Sequence, residues 1–141
     1  MELPTRKVLT IEAAKRIAEA AKSYAGRKGH PTLIVAIVDA GGYLLYLERM
    51  DGVKPGTVDV AVLKAQSAAR FDIESKSFEQ SVSDGLIGLV GLPGMAAFEG
   101  AVPIRVDGDL IGAIAISGLT KELDGEIARA AVAALPKILQ K

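Results

Sequence analysis

The sequence predicts an α+β chain in which an antiparallel or mixed sheet carries packed helices, and three observations predict it. Two apolar runs, Thr32–Val38 and Leu110–Ser117, read as strands buried on both faces. Each adjoins a second strand-like segment through turn residues, Asp39-Ala40-Gly41-Gly42 and Asp107-Gly108. Helical apolar spacing fills the remaining segments, giving the order helix, hairpin, two helices, hairpin, helix.

The first helix is read over Thr10–Lys28, where Ile11, Ala14, Ala18, Ala21 and Ala25 recur on one side and Glu12, Lys15, Arg16, Glu19 and Lys22 take the other. Thr10 is its N-cap, and Gly26, Gly29 and Pro31 stop it. Tyr43–Arg49 pairs with Thr32–Val38 as a hairpin. Asp51–Gly56 is a loop, and Thr57–Phe71 is a helix whose apolar side, Val58, Ala61, Val62, Ala65, Ala68 and Ala69, is rich in small residues. Ser77 with Gln80 predicts a capping box for a short helix ending near Asp84-Gly85. Gly100–Val106 and Leu110–Ser117 form the second hairpin, with Ala113 and Ala115 on one face and Gly112, Ile114 and Ile116 on the other. Thr120 caps the last helix, whose inner face is read as Leu123, Ile127, Ala130, Ala131, Ala134 and Ile138, with Pro136 bending or ending it. Cover for both faces of the sheet comes either from the terminal and central helix pairs or from a second copy of the chain.

The chain has 141 residues, expected to form one domain over 1–141, and is 50% hydrophobic. Its mean hydropathy is +0.30, which supports a sizeable core and favours self-association into a homo-oligomer. Seventeen basic residues balance seventeen acidic ones, so no bulk charge draws it to nucleic acid or to an anionic membrane. The absence of Cys excludes disulfides, thiol nucleophiles and Cys-based metal centres, and one His excludes a multi-His site within one chain. The start Met1-Glu2-Leu3-Pro4 lacks the basic and apolar regions of a signal peptide, and the longest uncharged stretch, Gly85–Phe98, is Gly-rich and too short to span a bilayer. A cytoplasmic protein is expected. The lack of Asn and Cys is a composition shared with heat-adapted proteins.

Several residues invite a chemical role, each against a plainer one. Gly85, Gly88, Gly91 and Gly94 recur every third residue, but no Lys-Ser/Thr follows and no strand-to-helix entry surrounds them, which argues against a phosphate loop. A pliable apolar loop, lining a pocket or a subunit contact, is the better reading. Lys64 sits between Ala61 and Ala68 at helical spacing; it either snorkels or forms a structural ion pair, or it meets a ligand anion. Arg49 and Asp51 close the second strand, either fixing the loop as a pair or facing a ligand. Ser117-Gly118-Leu119-Thr120 precedes the last helix, whose amino end is capped by Thr120 or takes an anion. Glu122, Asp124 and Glu126 suit the helix dipole and need no catalytic role. His30 is the one imidazole, either a solvated loop residue or a group able to ligate haem iron or act as a base near neutral pH.

These segments together resemble the GlcG/HbpS-like family, also called haem-degrading-domain-like, which includes the C-terminal domain of PduO-type corrinoid adenosyltransferases. The residues that carry the resemblance are Val35–Gly42, Glu48–Gly52, Ala61–Ala68, Gly100–Gly108, Ile111–Gly118 and Asp124, spread over roughly Leu9 to Leu135. The resemblance implies a profilin-like sandwich that forms homo-oligomers, with haem binding in some members. Carried over by position, it implies a ligand pocket of Arg49, Asp51, Lys64, Ser117, Gly118 and Asp124. Ala101 and Ala115 depart from the family's usual glycines and add a methyl group each near that pocket. The family supplies no iron ligand to map, so His30 stands as the haem candidate on its own chemistry.

The leading expectation is a small-molecule-binding protein with haem or another tetrapyrrole as ligand, its propionates paired with Arg49 and Lys64. The alternatives are a hydrolase or isomerase of a small organic acid with Asp51 or Asp124 as base, and an oligomeric scaffold without ligand.

Overall fold

The computed structural model describes residues 1–140. Helix α1 spans Ile11–Arg27, and the Thr10 hydroxyl accepts from the Ala13 N–H at its amino end. Strands β1 (Ile34–Asp39) and β2 (Leu44–Arg49) form the first hairpin. Helices α2 (Thr57–Phe71) and α3 (Ser75–Ser83) follow, then one 3-10 segment, Ile87–Gly91. Strands β3 (Ala101–Val106) and β4 (Asp109–Ser117) form the second hairpin. Its turn places Asp107 and Gly108 both at positive φ, the geometry that a right-twisted two-residue hairpin needs. Helix α4 (Lys121–Ala133) and the short α5 (Leu135–Leu139), with Pro136 in its first turn, end the chain.

The four strands form one antiparallel sheet in the order β2-β1-β4-β3, with Ala36 opposite Ala115 and Ile37 opposite Ile114. The fold is therefore α+β with an antiparallel sheet, and the two apolar strands lie at its centre, where both faces are covered. On one face, Val35, Ile37, Ile104, Ile114 and Ile116 pack with Ile17, Ala18 and Ala21 of α1 and Ile127 and Ala131 of α4. On the other, Val38, Ala101, Ala113 and Ala115 meet Ala65, Ala68 and Ala69 of α2. Alanine on both sides of that contact leaves little side-chain volume, so α2 lies close to the sheet. Helices of this same chain thus cover both faces of the central strands. Among the described residues, no helix is long and apolar enough to cross a membrane.

Two local expectations are corrected. Helix α3 begins at Ser75, not at a Ser77 cap, and its N-cap residue Glu74 makes no side-chain capping bond. The Ser75 hydroxyl is engaged with strand β3 instead, accepting from the Ala101 N–H at 2.9 Å. Helix α4 is rotated from the predicted face: it buries Asp124, Gly125, Ile127, Ala128 and Ala131, leaving Leu123 and Ala130 only partly covered. A carboxylate turns inward because a buried cation waits opposite it.

Candidate functional site

The buried cation is Lys64. Its position on α2 points it between the sheet and the amino end of α4, and its side chain is wholly buried. An ammonium there is stable only if its donors are used. Lys64 Nζ donates to the Ile116 carbonyl at 2.6 Å, to the Glu99 carbonyl at 3.1 Å and to Asp124 Oδ2 at 3.5 Å. The Phe98 ring lies 5.8 Å from the same nitrogen. Lys64 therefore does not snorkel; it forms a buried ion pair with Asp124.

Asp124 is 2% exposed. Its Oδ1 accepts from the Leu119 N–H at 3.2 Å, tying the β4–α4 connection to the helix that follows it. Burial pushes its carboxyl up to about 6, against the opposing pull of the Lys64 ammonium and the Leu119 N–H. Burial likewise draws Lys64 below the usual lysine range, while Asp124, Glu99 and Glu79 hold it up. Each partner is thus poised to lose its charge if the other is removed.

A second acid lies behind the pair. Glu99 is 5% exposed, and its Oε2 takes both outer nitrogens of Arg129 at 3.4 Å. Two glycines make room for this cluster. Gly100 has φ +134°, and a Cβ there would land on Lys64 Nζ and come within 2.8 Å of the Ile116 carbonyl oxygen. At Gly125 a Cβ would land on Glu99 Oε2 and lie 2.9 Å from Glu99 Cγ.

Asp124 also forms part of the wall of a cavity of about 440 Å³. Val53, Val60 and Phe98 give it an apolar side, and Gly52 and Gly118 leave open backbone. Lys54, Thr57, Ser117 and Asp124 supply its polar groups, and Thr57 and Val60 belong to the first turn of α2. The volume lies in the range that small ligands occupy. A larger groove, about 590 Å³, runs along β3 past Arg105 and Arg129. The arginines there are already engaged, Arg105 with Asp72 and Arg129 with Glu74 and Glu99, so it offers less unused chemistry.

The residues singled out in the sequence are thus divided. Ser117, Gly118 and Asp124 line one cavity, and Lys64 lies directly behind Asp124. Arg49 and Asp51 are exposed and outside the lining; no ion pair joins them among the described residues. His30 is half-buried on the α1–β1 connection, also outside the lining. The Gly85–Met95 loop exposes Leu86, Ile87, Val90 and Leu92 rather than lining this cavity. Sequence reasoning missed Lys54, Thr57, Phe98 and Glu99. The available signals were Gly56, a weak cap before α2, and Glu99-Gly100, an acid and a glycine leading into an apolar strand. No cluster of three or more His, Cys, Asp or Glu able to hold a metal occurs among the described residues.

Comparison with known proteins adds a family. The family model described as haem degrading protein HbpS-like matches residues 9–133. The chain is 37% identical to protein GlcG of Escherichia coli K12 over 115 residues, 82% of this chain and 85% of that one. Its structure superposes on the crystal structure of HbpS with a TM-score of 0.85 at 30% identity, covering 95% of this chain and 94% of that one. It superposes on the crystal structure of a PduOC:haem complex with a TM-score of 0.80 at 26% identity, covering 91% and 95%.

Proposed function

The chain belongs to the HbpS-like family, and from that premise we propose that it binds a small molecule in the cavity at the amino end of α2, with haem or a related tetrapyrrole as the ligand. One observation carries the reading: a single cavity joins an apolar wall, Val53, Val60 and Phe98, to the cationic side chain of Lys54 beside the positive end of the α2 dipole. A tetrapyrrole has the matching chemistry, a flat apolar ring bearing carboxylates. The haem complex of PduOC, a structural neighbour, supports the same ligand class.

The fit is to the porphyrin ring and its propionates, not to its iron. The lining contains no His, Met or Tyr, and His30 lies outside it. The proposed site therefore consists of Lys54, Thr57, Ser117, Gly118 and Asp124, with Lys64 holding Asp124 from behind; it does not use Arg49, Asp51 or His30. Haem would supply its iron chemistry with no protein ligand from this lining, so no reaction step is assigned to it. The chain acts in the cytoplasm and as a homo-oligomer in this reading, the exposed Leu86, Ile87, Val90 and Leu92 being the apolar surface that a second copy covers.

Titrating haemin while following the Soret band tests the proposal. A saturable shift is expected, weakened by Lys54→Glu, retained in His30→Ala, and competed by metal-free protoporphyrin. No saturable shift would overturn the haem assignment, and a shift lost only in His30→Ala would move the site to the α1–β1 connection. A second reading, proton transfer to a small organic acid, is favoured by one feature: a cavity carboxyl that titrates near 6. Deuterium exchange into small carboxylic acids, lost in Asp124→Asn, would favour that reading.

A further inference from the structure

Resting on the binding site proposed above, we infer that its cavity holds a carboxylate subsite, in which a ligand carboxylate sits between the amino end of α2, Lys54 and the Ser117 hydroxyl and shares one proton with Asp124. The first observation is at α2. Its N-cap residue is Gly56, no side chain caps it, and Thr57 and Val60 of its first turn line the cavity. The Thr57 and Val58 N–H groups donate to the Lys54 and Pro55 carbonyls, so what the amino end offers an anion is the Asp59 and Val60 N–H groups and the positive end of the helix dipole. The second observation is independent. Ser117 is 4% exposed, lines the same cavity, and its hydroxyl has no hydrogen-bond partner among the described residues. No buried side-chain polar atom is sealed off without a partner, so this hydroxyl keeps its opening to the cavity. Ser117 also follows Ala113 and Ala115 along the β4 face that meets α2, which directs it toward the same helix.

The third observation concerns Asp124 itself. Its Oδ1 accepts one bond, from Leu119 N–H at 3.2 Å, and its Oδ2 has the 3.5 Å contact to Lys64, whose ammonium is held more closely by two carbonyls, so the carboxyl keeps lone pairs for a further donor. The charged groups that face Asp124 are Lys64 from α2 and Glu99 from the segment before β3, while Glu79 of α3 acts on Lys64. Lys54 stands at the cavity wall. The Lys54 ammonium and the positive end of the α2 dipole disfavour a cationic ligand. A carboxylate suits them, but brings a second negative group beside Asp124. Two neighbouring carboxyls relieve that repulsion by keeping one proton between them, as paired acids in dry sites do. Asp124 is already disposed to hold that proton, because burial raises its affinity for it.

Binding of the carboxylate must then take up a proton. The probe is isobutyrate, with isobutyramide as its neutral counterpart, followed by NMR shifts of the Thr57 and Leu119 amides in the full chain. Isobutyrate affinity is expected to fall at least about tenfold between about pH 5.5 and about pH 7.5, because bound proton and ligand are linked. Isobutyramide should show no such dependence. Ser117→Ala, which breaks no protein hydrogen bond, should weaken isobutyrate severalfold and leave the pH ratio unchanged. The ¹³C shift of the Asp124 carboxyl should titrate at higher pH with isobutyrate present than without it. Equal isobutyrate affinity at the two pH values, an unmoved Asp124 titration, or no amide shift at all would overturn the subsite. These outcomes are separate from the haemin titration: the subsite can fail while haemin still binds, and haemin can fail while isobutyrate still binds.

Discussion

The two faces of the sheet are built to opposite rules. The face under α1 and α4 is filled by Ile17, Ile37, Ile104, Ile114, Ile116 and Ile127, all without exposure and all without polar atoms in the side chain. The face under α2 is filled mainly by alanine, with Ile34 and Val38 beside it, and it admits the buried polar side chains Lys64, Ser67 and Ser117, of which Ser117 lines the cavity. Large aliphatic side chains interlock and exclude everything else. Small ones let two backbones approach, and in this chain the carbonyls of Glu99 and Ile116 become ligands for a buried ammonium. The difference teaches where to look for chemistry in such a fold: on the face where volume is low and backbone is within reach of a charged side chain.

That contrast can be broken by substitution. The largest effect is expected at Lys64→Ala, which leaves Asp124 and two carbonyls without their cation and should cost roughly 3–5 kcal/mol in denaturant unfolding. The Lys64→Ala, Asp124→Ala double variant should cost clearly less than the two single variants summed, because each alone strands its partner. Ile127→Ala on the opposite face should cost about 2–4 kcal/mol by cavity formation alone, with no dependence on pH. Gly100→Ala should cost about 3 kcal/mol, since its positive φ and the crowded Lys64 both oppose a methyl group. Gly26, where a Cβ would meet nothing within 4 Å, is the control: alanine there should be neutral or stabilising.

The pH dependence sharpens the same contrast. The folded Asp124 carboxyl titrates at about 6, above its ordinary value of 3.8. The folded state therefore holds this proton more tightly, so the contribution is present below 3.8 and is lost as pH rises through about 6. Relative to Asp124→Asn, the wild-type chain should lose about 2–3 kcal/mol across that window, measured by denaturant unfolding at each pH. Relative to Ile127→Ala it should lose nothing. The smallest effect is expected at Thr120→Ala, which removes the hydroxyl that accepts from Leu123 N–H at the amino end of α4; a loss of about 1 kcal/mol should appear in thermal unfolding.

Much of this architecture can be read from residue order, and the site only in part. The central strands announce themselves because a run such as Ile34–Val38 has no polar side to expose, and Asp107-Gly108 leaves one tight turn as the way to join β3 and β4. The α4 face is harder. Its first-turn acids all suit the helix dipole, so nothing local distinguishes Asp124, which is buried, from exposed Glu122. The distinction comes from Lys64, sixty positions earlier, and from two carbonyls whose direction depends on strand pairing. The α3 start fails for a similar reason: Ser75 is spent on β3, a contact invisible to a local capping rule. Resemblance to the family brought Lys64, Ser117, Gly118 and Asp124 together. It also brought Arg49 and Asp51, which are not part of the cavity lining although Gly52 and Val53 beside them are. Lys54 and Thr57 escaped notice because an uncapped helix end leaves no side-chain signature in sequence.

The most direct measurement of the proposed function is a crystal structure with protoporphyrin or haemin bound. The ring is expected against Val60 and Phe98 with a propionate at the first turn of α2, beside Lys54 and Ser117. A ring bound elsewhere, with its iron on His30 and the α2 cavity filled by solvent, would contradict it.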